Sequence, residues 1–142
     1  MNRNDYQHYL DSFNGRDYDK VLAFWAPQFV VTVQGEVLFD SPERLKQVYT
    51  FLHDHITEEI FVQHYLADGD KVFLEAIVRI TANKTITAEA LAAQNIRGIM
   101  PIEAGVAIDI PQFIHYHLEN GRFKTGTCLV SGVPRPVNKK PR

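Results

Sequence analysis

Four side chains in this sequence can move or hold a proton inside a small-molecule pocket: Tyr9, His64, Asp109 and His115. A phenol such as Tyr9 donates a hydrogen bond to a carbonyl or enolate oxygen. His64 and His115 carry imidazoles, which exchange protons near neutral pH. His64 lies four residues before Asp68-Gly69, and His115 shares one strand face with His117. Asp109, two residues from Pro111, offers a carboxylate where a bulge re-aims it. Each also has a plainer reading. Tyr9 is then a core aromatic whose hydroxyl finds a backbone partner. His64 is a solvated strand histidine, and His115 with His117 faces outward at a subunit contact.

Other groups carry less. Two histidines two apart on a strand can hold a divalent ion, but no third ligand follows at a suitable spacing, so no metal site is expected. Glu75 and Arg79 share a strand face yet lie about 13 Å apart along it, too far to pair directly. Asp54 sits between His53 and His55, and adjacent residues on a helix do not face each other. Cys128 reads as a small buried residue rather than a nucleophile.

The elements that must position these groups are legible as pattern. A helix begins near Asn4 or Asp5, either of which can cap it. Tyr6, Tyr9, Leu10 and Phe13 form its apolar face. Asn14-Gly15 stops it, with Gly15 expected in the left-handed cap conformation. Asp17 caps a second helix, apolar at Val21, Leu22, Phe24 and Trp25, which Pro27 ends. A strand follows over 29–33. Asp40-Ser41-Pro42-Glu43-Arg44 starts a third helix, with Leu45, Val48, Tyr49 and Leu52 as its buried stripe. Strands over 60–66 and 72–81 flank the turn Ala67-Asp68-Gly69-Asp70-Lys71. In the second of these, Val72, Leu74, Ala76 and Val78 share one face while Lys71, Phe73, Glu75 and Arg79 share the other. A strand over 106–118 contains Pro111, which implies an edge position or a bulge. Glu119-Asn120-Gly121-Arg122 turns it into a last strand over 123–130. The segment 85–103, with its alanine-rich helical stretch, is long enough to form a lid or an arm.

Helices first and antiparallel strands after them indicate an α+β fold. The chain has 142 residues, the size of one domain. We divide it into a pocket domain over 1–132 and a flexible, basic, Pro-rich tail over 133–142. A net charge of -2 gives no electrostatic reason for a nucleic-acid partner. One cysteine and the lack of an apolar leader suit a cytoplasmic protein, and no apolar run is long enough for a membrane.

The opening pair of helices, Asp40-Ser41-Pro42-Glu43, the Ala67-Asp68-Gly69-Asp70-Lys71-Val72 turn and Glu119-Asn120-Gly121-Arg122-Phe123 occur in a specific order. In that order they resemble the nuclear-transport-factor-2-like superfamily, within it the SnoaL-like polyketide cyclases and ketosteroid isomerases. The resemblance implies a cone-shaped α+β barrel, three N-terminal helices on a strongly curved, mostly antiparallel sheet enclosing a pocket. It places Tyr9 at the oxyanion-hole tyrosine and Tyr49 at the supporting tyrosine. The family's aspartate base falls on Val33 and its acid on Ile114, and neither can move a proton. A shift of one residue brings Thr32 or Gln34 to the first position and His115 to the second. Tyr49, Val33, Ile114, Tyr116 and Trp25 are expected to touch the ligand. The implied activity is that of a cofactor-independent isomerase, cyclase or dehydratase on a small hydrophobic cyclic or polyketide-like molecule. The alternative is a non-catalytic binding or dimerisation module with tyrosine hydroxyls as polar handles. Either form is expected to be a homodimer through the outer sheet face.

Overall fold

The computed structural model describes residues 1–137, so the basic cluster at 139–142 lies outside the described residues. Helix α1 (Arg3–Asn14) starts with a reciprocal cap. The Asn2 side chain accepts from the Asp5 N–H at 2.8 Å, and the Asp5 carboxylate accepts from the Asn2 N–H at 3.0 Å. Its buried face is Tyr6, Tyr9, Leu10 and Phe13. The stop differs from expectation: Gly15 stays right-handed at φ -78°, and Arg16 takes the left-handed conformation at φ 57°. The Phe13 carbonyl at the helix end then accepts twice from Arg16, from its backbone N–H at 3.1 Å and from its guanidinium at 3.0 Å.

Helix α2 (Tyr18–Ala23) leads into β1 (Trp25–Val33), which begins earlier than the 29–33 expected. Pro27 sits inside that strand, where its pairing is irregular between Trp25 and Val30. Strand β2 (Glu36–Phe39) and helix α3 (Pro42–His55) follow, the helix capped by Ser41 with Pro42 in its first turn. Strand β3 (Ile56–Asp68) then starts at once, four residues earlier than read from sequence. The remaining elements are β4 (Lys71–Ala82), α4 (Ala88–Ala93), β5 (Ala107–Glu119), β6 (Arg122–Val130) and β7 (Arg135–Pro136).

The strands form one unclosed sheet in the order β2-β1-β6-β5-β4-β3, with β7 added alongside β5. Only β1 and β6 run parallel; the other pairings are antiparallel. The helices cover the face that carries Val72, Leu74, Ala76 and Val78, all buried, so the α+β class holds. Two expectations are corrected here. Residue Pro111 lies in the interior strand β5, not at an edge. Its carbonyl accepts from the Ser131 N–H, so its ring nitrogen faces the chain just past the end of β6, where the regular ladder has stopped. The tail expected from residue 133 is also partly structured. Asp109 pairs with Arg135, and Val137 donates to the Ala107 carbonyl at 2.9 Å.

The stretch after β4 is held down rather than free. Ile86 and Ile102 bridge each other, and Arg44 of α3 donates to the carbonyls of Gln94 and Asn95 at 2.6 and 2.8 Å. Gly98 has φ +84°, and a Cβ there would fall 2.5 Å from the Val33 carbonyl oxygen. That contact seats the following residue, Ile99, at the cavity. Among the described residues no helix is long and apolar enough to cross a membrane.

Candidate functional site

A cavity of about 90 Å³ lies between the helices and the covered sheet face, with Ile99 at its wall. It is smaller than the roughly 150 Å³ that accommodates a benzene ring. A larger ligand therefore needs the wall to yield, and Ile99 is on its one segment outside the regular elements.

Tyr9, Trp25, Val33, Tyr49, Ile114 and Tyr116 all line this space. Strand parity explains the last two: Ile114 and Tyr116 alternate inward along β5 and are 2% and 5% exposed. Val33 and Ile114, the positions of the resembled base and acid, thus present only hydrocarbon. Gly126 on β6 makes room for the indole, since a Cβ there would approach Trp25 Cη2 to 3.0 Å and Tyr116 Cε1 to 3.4 Å. The Tyr116 hydroxyl is not a free handle. It is bonded to the Tyr6 hydroxyl at 2.8 Å, both rings being buried.

Tyr9 and Tyr49 are the phenols that remain for a ligand. Burial raises both above the ordinary phenol value, with nearby Glu58 adding to the rise. At neutral pH both are therefore protonated donors. The Trp25 indole N–H lies near enough to Tyr9 to offset part of its shift, yet short of a hydrogen bond. It is a buried donor with no partner among the described residues. Such a group is costly to leave unpaired, and a ligand oxygen beside Tyr9 would satisfy it.

The carboxylate in the cavity wall is Glu58, which sequence reasoning did not single out. Its Oε1 lies 3.0 Å from Nε2 of His53, and the two side chains are 21% and 4% exposed. The other ring nitrogen of His53, Nδ1, lies 2.7 Å from the Tyr18 hydroxyl. The imidazole is stacked on Tyr49, with centroids 5.0 Å apart and planes at 11°, and Phe13 meets it edge-on. The turn from α3 to β3 brings the acid and imidazole together. His53 is in the last turn of the helix, the chain reverses at residue 56, and Glu58 comes back alongside. Ile56, Glu58 and Ile60 share one strand face, and the flanking isoleucines carry the carboxylate inward. That parity was the available signal, and it becomes readable only when the strand starts at residue 56 rather than 60.

Three expected proton carriers lie outside the cavity. His64 is exposed on β3 beyond the irregularity between Val62 and His64. Asp109 is held by Arg79 across the β4–β5 ladder, with Arg79 Nε and Nη2 donating to its two oxygens at 2.8 and 3.0 Å. This hydrogen-bonded pairing lowers the Asp109 carboxyl below its ordinary value. Arg79 also covers the Phe61 ring, on the face opposite Val78. No bulge turns Asp109 inward, and the partner of Arg79 is Asp109 rather than Glu75. His115 packs against Phe73 and His117, because Ile114 and Tyr116 occupy the inward positions of the same strand. Burial above all, then the neighbouring His117 and Lys71, lowers its pKa. Among the described residues no three His, Cys, Asp or Glu side chains gather as metal ligands do. Cys128 lines the cavity, and burial with the Glu58 charge pushes its thiol up to about 12, which makes it a poor nucleophile.

A family model described as a SnoaL-like domain matches residues 6–125. No curated protein matches the chain. Solved structures do. A putative polyketide cyclase from a Silicibacter species is similar with a TM-score of 0.72 at 19% identity, over 90% of this chain and 88% of that one. A nuclear-transport-factor-2-like protein of unknown function from Burkholderia pseudomallei has a TM-score of 0.68 at 17% identity over 92% of each chain. An epoxide hydrolase of the LEH-like type from Mycobacterium tuberculosis has a TM-score of 0.65 at 13% identity, over 88% of this chain and 78% of that one. At these identities the likeness concerns the fold.

Proposed function

Because this chain belongs to the SnoaL-like domain family, with the nuclear-transport-factor-2-like fold, we propose that its cavity is a cofactor-independent acid–base site for a small hydrophobic carbonyl compound. One observation carries the reading: the Glu58 carboxylate in an otherwise largely apolar wall, beside the phenols of Tyr9 and Tyr49. The carbonyl oxygen accepts from Tyr9, with the unpaired Trp25 N–H as a second donor. Glu58 takes the proton from the carbon next to the carbonyl, and the charge that develops on oxygen falls on donors already in place. The proton carrier comes from β3 rather than from the positions of Val33 and Ile114. Cyclic and polyketide-like ketones are the substrate class, and an isomerase or lyase is the class of enzyme. The likeness to a putative polyketide cyclase supports that substrate class by analogy.

The test is solvent exchange. Protein is incubated with a panel of small cyclic ketones in D₂O, and loss of the α-proton is followed by NMR. Glu58→Gln is expected to slow the exchange by about 10²–10⁴-fold, the usual worth of a positioned base. Exchange that survives Glu58→Gln would sink the assignment. A ketone that binds in the cavity without exchange would leave a binding module instead. We also propose a homodimer through the outer sheet face, where Phe61, Phe73, Phe113 and Leu129 are exposed. Light scattering that returns a monomer counts against it.

A further inference from the structure

We propose that His53 and Tyr18 form a proton relay between Glu58 in the cavity and the solvent-facing groove behind α3, an inference that rests on Glu58 being the base. The imidazole itself lines the outer groove and reaches Glu58 of the cavity wall. Its Nε2 side meets Glu58 of the cavity wall, and its Nδ1 side meets Tyr18, which lines the outer groove with Arg16, Lys46 and His55. Tyr18 is half-buried at the groove, and its ring stacks on His53.

The hydrogen-bond geometry accommodates both tautomers of the ring. The Tyr18 hydroxyl has one proton and two acceptors within reach, Nδ1 of His53 at 2.7 Å and the Tyr49 carbonyl at 3.3 Å. With the ring protonated on Nε2, that nitrogen donates to Glu58 and Tyr18 donates to Nδ1. With the ring protonated on Nδ1, that nitrogen donates to Tyr18, whose own proton turns to the Tyr49 carbonyl. A histidine kept only for packing needs one partner and one tautomer. Here every group at a ring nitrogen can switch between giving and taking. The charged or titratable groups around the ring are Arg16 from the α1–α2 corner, Tyr18 from α2, Tyr49, Asp54 and His55 from α3, and Glu58 from β3.

The discharge step balances. The carboxyl proton of Glu58 passes to Nε2, the Nδ1 proton passes to the Tyr18 oxygen, and the Tyr18 hydroxyl proton passes to a water in the groove. Glu58 is left as carboxylate, His53 as the Nε2–H tautomer, and Tyr18 donating to Nδ1. One discharge thus resets the base through the back wall, and a half-turn of the imidazole, which brings its unprotonated nitrogen back to Glu58, readies the relay for the next. Such a base suits reactions that do not return the proton to the molecule that gave it, such as eliminations and exchange with solvent. His53 and Tyr18 act through Glu58 and are positioning residues.

The experiment has a ligand-free arm and a turnover arm. In the first, protein carrying ¹⁵N-histidine is examined by NMR for the His53 tautomer and for exchange of its ring N–H with water. Tyr18→Phe, which removes only a half-buried hydroxyl, is expected to shift the Nδ1 resonance and slow the exchange roughly tenfold, since the relay's outer member is gone. His53→Gln, which keeps hydrogen bonds but cannot relay, is the second variant. It is expected to retain the fold by circular dichroism while ketone exchange at saturating ketone drops and KM holds. An unchanged Nδ1 resonance and unchanged exchange in Tyr18→Phe would overturn the relay, even if Glu58→Gln abolishes turnover. Turnover that survives Glu58→Gln would overturn the base assignment, and the relay's function with it. Rescue of full turnover in His53→Gln would show a merely structural imidazole and also overturn the relay.

Discussion

The two faces of the sheet carry the same residue types in different settings. Outside, Asp109 meets the Arg79 guanidinium at side-chain exposures of 27% and 38%, and His115 meets His117. Inside, Glu58 meets His53 at the edge of a cavity, beside phenols whose pKa values burial has raised. A carboxylate paired with a guanidinium in reach of water is neutralised and worth little. Glu58 instead meets an imidazole, a group able to exchange a proton with it, in the wall of a cavity. Residue type alone does not separate the two clusters. Solvation and partner do.

The contrast can be broken most sharply by removing one carboxylate from each face. Glu58→Gln is expected to lower ketone α-proton exchange by about 10²–10⁴-fold, whereas Asp109→Asn leaves it unchanged. Equal effects would erase the distinction between the faces. The cavity also protects its thiol. Cys128 rises from the ordinary 9.0 to about 12, so iodoacetamide at mildly alkaline pH should react about a thousandfold more slowly with folded than with unfolded protein. Because the raised thiol pKa favours the neutral form, its stabilising effect is present below the unfolded value and fades as pH rises toward the folded one.

Smaller effects sharpen the packing side of the comparison. Gly126→Ala drives a methyl against Trp25 and Tyr116, and urea unfolding should show a loss of about 1–3 kcal/mol. Exposed His117→Gln on the opposite face should stay within about 0.5 kcal/mol. Tyr6→Phe strands the buried Tyr116 hydroxyl at a cost of about 1–3 kcal/mol, and adding Tyr116→Phe should recover most of it. The smallest effect belongs to the outer ion pair. Asp109→Asn should cost about 0–1 kcal/mol, since both side chains are partly solvated. The folded pKa of Asp109 lies below its ordinary value. Its contribution is therefore present above the unfolded carboxylate range and lost as pH falls through the folded pKa, so stability curves of wild type and variant should converge in acid.

Much of the scaffold was readable because the signals are local. Ser41-Pro42 starts α3, the Tyr6–Tyr9–Leu10–Phe13 spacing faces α1 inward, and alternation along β4 and β5 separates Val78 and Ile114 from Arg79 and His115. The cavity positions Tyr9, Tyr49, Val33, Ile114, Tyr116 and Trp25 follow from that periodicity together with the family resemblance. Element ends were less legible. Pro27 and Pro111 sit within strands because their missing N–H groups fall where the ladder is irregular or has ended, which depends on neighbours distant in sequence.

The sequence by itself determined the order of elements, the faces they present and the apolar character of the pocket, because propensity and period act over a few residues. Which acid meets which base was decided only by the tertiary structure. The reversal between α3 and β3 pairs His53 with Glu58, and the β4–β5 register pairs Arg79 with Asp109. Whether a charge can work as a base depends on distance to its partner and on access to water, and both are properties of the folded chain rather than of its spacing.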